Sequence, residues 1–320
     1  MTLEELYHSA VATGIENDPR GKETVQEVLS FREKACKELK DRDREFFDSE
    51  SLKNPYSDTR ILYGKGSIEI KTILTGIDIE VGEVLLAENL RSNGKPVDLM
   101  VSHHPEGTAF ANLYDVMRMQ SDILNKFGVP INIAEALMEG RIKEVERRLM
   151  PVNHTRAVDA ARLLDIPFVC IHTPADNMVV SYLQRTFKDR DPHRLNDIID
   201  ILLEIPEYRE AKKIGAGPNI LLGSDERKAG KVFVDMTGGT EGAKEIFGNL
   251  TSSGVNTIVA MHLSEEHRKE AEKQHLNVII AGHIASDNLG LNLLLDRVLA
   301  DDIEVIECSG FRRVARDLSS

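Results

Sequence analysis

Four apolar runs in this chain stop on histidine: DLMVSHH at His103 and His104, FVCIH at His172, TIVAMH at His262 and VIIAGH at His283. Each run reads as a buried strand, and the runs alternate with helix-patterned stretches such as VGEVLLAENLRS and HTRAVDAARLLD. Strands alternating with helices predict an α/β fold whose sheets are flanked by helices. Ligands in such sheets gather beyond the carboxyl ends of the strands, so the fold class itself draws these histidines together. Five of the ten histidines occupy strand ends. The others, His8, His154, His193, His267 and His275, fall in charged or helical stretches and read as surface residues.

Carboxylates follow the histidines at short intervals. HTPAD puts Asp176 four residues after His172, and HIASD puts Asp287 four residues after His283. On a helix, positions i and i+4 share a face, which suits two groups that chelate one ion. MHLSEE places Glu265 and Glu266 just beyond His262. Mixed imidazole and carboxylate donors suit zinc, manganese or iron better than magnesium or calcium. Three histidines and two aspartates exceed one tetrahedral site and fit two ions about 3.5–4 Å apart. A glycine-rich stretch, VFVDMTGGTEGAKEIF, matches neither the phosphate-loop nor the dinucleotide fingerprint. It reads as a tight turn at Gly238 and Gly239 into a helix capped by Thr240.

Composition closes off other functions. A net charge of −13 and 5% aromatic residues argue against nucleic acid as a partner. No apolar run approaches the roughly 20 residues of a membrane span, and MTLEELYHSA is unlike a signal peptide. Cys36, Cys170 and Cys308 are far apart and form no CxxC, which predicts a cytoplasmic protein without disulfides, with Cys170 in the core. The first 55 residues are charged and helical in pattern and read as an N-terminal extension, packed on the main body or on another subunit. SESLKNPYSDT then reads as a linker. RTFKDRDPHRLNDIIDILLEIPEYREAKK, helical and interrupted at Pro192 and Pro206, reads as structural or interfacial.

Taken together, Ser102–Pro105 (SHHP), His172–Asp176 (HTPAD), the Thr237–Gly239 turn, Ser264–Glu265 and GHIASD at 282–287 resemble one family. These are the Ngg-one-interacting-factor-three-like proteins, often labelled GTP cyclohydrolase 1 type 2 homologues. The resemblance spans roughly residues 60 to 310 and leaves the N-terminal helical segment outside it. It implies two α/β domains with a dinuclear metal site at their interface: residues 56–175 with 280–320 as the first, 176–279 as the second. It also implies a ring-shaped homohexamer. Carried over by position, the metal ligands are His103, His104, Asp176, His283 and Asp287, and His172 is the motif histidine rather than an assigned ligand. Two departures stand out. Asp287 replaces the family's glutamate, and His262 stands where a small residue is usual.

The function expected is that of a dinuclear protein holding two divalent ions (zinc, iron or manganese) and hydrolysing a small molecule with metal-activated water. Ring opening of a nucleotide or related heterocycle is one subcase. Glu265 and His262 are the candidate catalytic proton carriers. The alternative is a non-catalytic metal-binding or regulatory protein.

Overall fold

The structure, a computed structural model, describes residues 1–316. It has two sheets flanked by helices, as the strand–helix alternation predicts. The first sheet has five strands: β1 (Arg60–Tyr63), β2 (Thr72–Gly76), β3 (Leu99–Ser102), β4 (Phe168–Cys170) and β9 (Glu304–Glu307). Their order is β1-β4-β3-β2-β9. The second has four: β5 (Asn219–Leu222), β6 (Lys231–Asp235), β7 (Val255–Ala260) and β8 (Asn277–Ile280), in the order β5-β8-β7-β6. Each sheet is parallel except for one antiparallel edge, β1 on β4 and β5 on β8.

The inner strands of the first sheet are buried along their whole length, TILTG, LMVS and FVC, because helices cover both faces. Their register decides where the chemistry sits. Gly76 pairs with Ser102, and Ser102 with Cys170, so three strands end level. Two residues beyond each end come Asp78, His104 and His172. In the second sheet Asp235 pairs with Ala260 and Ala260 with Ile280, so β6, β7 and β8 also end level, just before His262 and His283.

Two helices carry the remaining groups. Thr173–Arg190 starts directly after His172, with Pro174 in its first turn, where a missing N–H costs nothing. His283–Val298 starts after Gly282 and places Asp287 one turn in. The two helices pack closely: a Cβ on Gly290 would collide with the Ala175 carbonyl, so glycine there lets Asp176 and Asp287 come side by side. The N-terminal helix Leu3–Glu16 is capped by Thr2 in a capping box with Glu5. It buries Leu3, Leu6, Tyr7, Ala10 and Val11 in the same core as those two helices. Gly14 allows a similarly close approach, since a Cβ would lie 2.7 Å from Pro174 Cβ. The first part of the N-terminal segment is thus a core element on the main body. The next helix, Lys22–Glu38, buries only Val25.

Three sequence readings are corrected. The region from about Phe110 to Phe127, which its sequence reads as one helix, forms three short ones, Gly107–Ala111, Leu113–Val116 and Met119–Lys126. Thr240 caps no helix: the next one begins at Ile246 after Glu245, because the Gln120 amide donates to the Gly238 and Thr240 carbonyls and holds the loop open. Gly238 and Gly239 do take positive φ, 93° and 88°. His267 is buried rather than superficial. No helix among the described residues is long and apolar enough to cross a membrane.

Candidate metal centre

His103, His104, Asp176, His283 and Asp287 come together at the facing strand ends, and His172 joins them. His103 Nε2 lies 3.5 Å from an oxygen of Asp176 and 3.5 Å from one of Asp287. His104 Nε2 is 3.4 Å and His283 Nε2 3.6 Å from the other Asp287 oxygen. His172 Nε2 is 3.8 Å from Asp176. These separations are too long for good hydrogen bonds. They are the spacing of ligands, since two donor atoms each about 2.0–2.1 Å from a tetrahedral ion stand about 3.4 Å apart.

Three imidazoles are fixed from behind. His103 Nδ1 is 3.3 Å from the Ile171 carbonyl, His104 Nδ1 is 2.7 Å from Asp78 and His172 Nδ1 is 2.8 Å from Asp58. Each partner accepts an N–H, which leaves Nε2 of each ring with its lone pair toward the cluster, the tautomer a metal ligand needs. Asp58 is fully buried and also accepts from the Thr173 hydroxyl at 2.6 Å. Its burial opposes ionisation, but the His172 and Thr173 hydrogen bonds outweigh it and hold the carboxyl below its usual range.

Left to the protein's own groups, the cluster is poorly satisfied. His103 Nε2 and both oxygens of Asp287 are buried without a hydrogen-bond partner. Burial raises Asp176 well above the ordinary carboxylate range; the pull of His103 opposes this and the charge of Asp287 adds to it. Asp287 is likewise penalised by burial, yet the surrounding imidazoles, His103 first, hold it far below that range. Burial drives His283 down to about 4. His104 is also penalised by burial, but Asp287 and Asp78 raise it to about 10. A divalent cation relieves these tensions: it takes the lone pairs of the imidazoles and stabilises both carboxylates as anions. The residues therefore fit a metal. Three overlapping sets have ligand atoms close enough to share an ion: His103/His104/His172, His104/His283/Asp287 and His103/Asp176/Asp287.

The cluster forms one wall of a cavity of ≈ 430 Å³. The opposite wall belongs to the second sheet and carries Asp235, Glu241 and His262 among apolar residues including Phe233, Phe247 and Met261. His262 is half exposed, with its ring 4.8 Å from that of His283 and its Nδ1 3.5 Å from Glu241. Burial opposes ionisation of Glu241, but His262 and the Ser264 N–H, at 2.6 Å, bring it down to about 2. Glu265 does not line this cavity. Its exposed carboxylate pairs with Arg268 at 2.8 Å.

Sequence reasoning missed Asp58, Asp78 and Glu241. Asp78 follows its strand by the same two residues as His104 and His172, an offset that could have identified it. Asp58 sits in the stretch read as a linker, with no local pattern to mark it.

No protein-family model matches the sequence, and no curated protein does. Among solved structures, the chain is similar to a NIF3 superfamily protein from Sphaerobacter thermophilus: 28% identity, TM-score 0.69, over 79% of this chain and 91% of that one. It also overlays on reduced HcgD from Methanocaldococcus jannaschii, at 15% identity and TM-score 0.47, over 88% of this chain and 96% of that one. A third overlay is on a Thermus thermophilus protein, TTHA1606, at 16% identity and TM-score 0.44, over 86% and 96%. Those two are too distant to bear on function. The two-sheet fold, the order of the motifs and the Sphaerobacter match over most of both chains bear out the resemblance of this chain to the NIF3-like, or Ngg-one-interacting-factor-three-like, proteins.

Proposed function

We propose that this protein is a metal-dependent hydrolase acting on a small molecule bound in the adjoining cavity, and that His103, His104, Asp176, His283 and Asp287 would hold two divalent cations, with Asp287 common to both positions. The observation that carries the reading is the orphaning of both Asp287 oxygens beside His103 Nε2, deep in a polar cluster that opens onto that cavity. One ligand set, His104/His283/Asp287, and another, His103/Asp176/Asp287, share that carboxylate, and His172 stands beside the second. Loss of a methylene relative to the family's glutamate is offset by the close approach of the two helices at Gly290.

When bound, such ions acidify water and stabilise negative charge developing on oxygen. The chain's own residues do the rest. Asp58, Asp78 and the Ile171 carbonyl hold three imidazoles in one tautomer, so no reorganisation is needed on binding. The apolar wall lowers the local dielectric and limits bulk water. His262, of the two proton-carrier candidates, is the one on the cavity wall. Glu241 faces its Nδ1 and leaves Nε2 to carry a proton to or from a substrate. Ring opening of a nitrogen heterocycle is a reaction of this class. The homohexamer and the two-domain division implied by the resemblance belong to the same proposal.

A cavity beside the cluster favours a hydrolase over a metal store or regulatory protein, which needs none. Metal content and turnover, measured on wild type and His104→Ala across phosphoester, nucleotide, amide and cyclic-amidine substrates, test the reading. The expectation is about two ions per chain and turnover lost in the variant. Fewer than about one ion per chain in wild type would sink it, and fully loaded protein that turns over nothing would return the role to storage or regulation.

A further inference from the structure

The cavity's charge and its unmet hydrogen-bonding groups say what kind of molecule it takes. Besides Asp176 and Asp287, five carboxylates line it: Asp78, Glu80, Glu106, Asp235 and Glu241. Arg156 is the single guanidinium facing them, and no lysine lines the cavity among the described residues. Two divalent ions at the metal centre would still leave this wall negative. An anionic substrate would meet repulsion over most of its length.

Asp78 and Glu241 already have partners, His104 and the Ser264 N–H. Asp235 does not. Asp235 ends β6, stands half-buried in the wall and feels the charges of His267, Glu241 and His262. A carboxylate partly removed from water and without a donor is penalised, and burial raises it to about 6. A second acceptor is also open. The Gln120 amide spends both N–H bonds on the Gly238 and Thr240 carbonyls, at 2.7 and 2.8 Å, which fixes its orientation and turns its oxygen loose on the same cavity. Between these groups the wall is largely apolar, with Phe110, Phe233, Leu250 and Phe247 among its members. Unmet acceptors set in an apolar wall require donors from the ligand.

We propose that the cavity binds an uncharged or cationic molecule with an apolar body and an N–H-rich end, an amidine or amino-substituted nitrogen ring, and that Asp235 is the residue that selects it. This rests on the hydrolase reading for its chemistry but not for its binding. Asp235 accepts N–H bonds from the ligand, the apolar wall covers the ring, and polyphosphate-bearing forms of the same ring are rejected by charge.

The test is calorimetric titration of the metal-loaded full chain with benzamidine and with benzenesulfonate, an anionic counterpart of similar shape and weak metal affinity, on wild type and Asp235→Asn. Metal content is read on the same samples. Benzamidine should bind wild type, should bind Asp235→Asn at least about tenfold more weakly, and should be preferred to benzenesulfonate. The proposal is overturned if benzamidine does not bind at millimolar concentration, if the variant binds it equally well, or if benzenesulfonate binds as tightly. The wild-type comparison of the two probes decides the matter even where the variant fails to fold. A chain that binds no metal yet shows the amidine preference sinks the hydrolase reading alone. A loaded chain with the opposite preference sinks this proposal alone.

Discussion

The two walls of the cavity are built on different principles. On the first-sheet side His103, His104 and His172 each have a partner behind them, and Asp58 is sealed from solvent. On the second-sheet side Asp235 lacks a donor and His262 is half exposed. The first wall is finished except at the atoms that would touch a metal. The second is unfinished at the atoms that would touch a substrate. Rigid, partnered groups suit an ion with fixed geometry, and open acceptors suit a ligand that comes and goes.

The largest test of this contrast is Asp287→Ala, which removes the carboxylate common to two of the three ligand sets. Elemental analysis of the purified variant should show loss of both ions, from about two per chain to near none. Retention of one full equivalent would mean that the sets are independent and Asp287 does not bridge. Next comes Asp58→Asn, which leaves the cluster's own residues in place but exchanges the charged acceptor behind His172 Nδ1 for a neutral amide. Metal affinity by competition with a chelator should fall about 10–100-fold. An unchanged affinity would show that the inner wall is not preorganised by its outer partners.

Much of the first wall was legible in the sequence, and the reason is physical. A parallel strand buried on both faces must be an unbroken apolar run, so β2, β3, β4, β7 and β8 announce themselves, as does the apolar centre of the edge strand β6, and so do the residues at their ends. The other edge strands, β1, β5 and β9, are only partly buried, carry no such run and passed unseen. Asp58 acts across 114 residues of chain on His172, a pairing that no local pattern encodes. Glu241 and Asp235 were hidden for another reason: a carboxylate beside a glycine turn looks like any solvated loop until the opposing sheet is in place.

The second wall makes its own prediction about stability. The Asp235 carboxyl, raised to about 6, lies above the ordinary unfolded value near 4, so the folded state holds its proton more tightly. Its ionisation therefore costs stability as pH rises through that window and costs nothing below it. Asp235→Asn should stabilise the protein by about 1–2 kcal/mol at pH 8, discounted for water in the cavity, and leave Tm unchanged near pH 4. Thermal unfolding at the two pH values measures this; a variant destabilised at pH 8 would mean the carboxylate has a structural partner. The smallest effect is expected at Glu265, exposed and paired with Arg268 outside the cavity. Glu265→Gln should leave Tm, metal content and turnover as they are. A collapse of turnover at constant metal content would restore Glu265 as the catalytic base in place of His262.

The central claim is that one carboxylate, Asp287, joins two metal positions at the meeting of the two sheets. An anomalous difference map from crystals grown with zinc or manganese tests it directly. Two peaks sharing Asp287 are predicted, one beside His104 and His283, the other beside His103 and Asp176. A single peak that leaves Asp287 uncoordinated, or no peak among these residues, would contradict it.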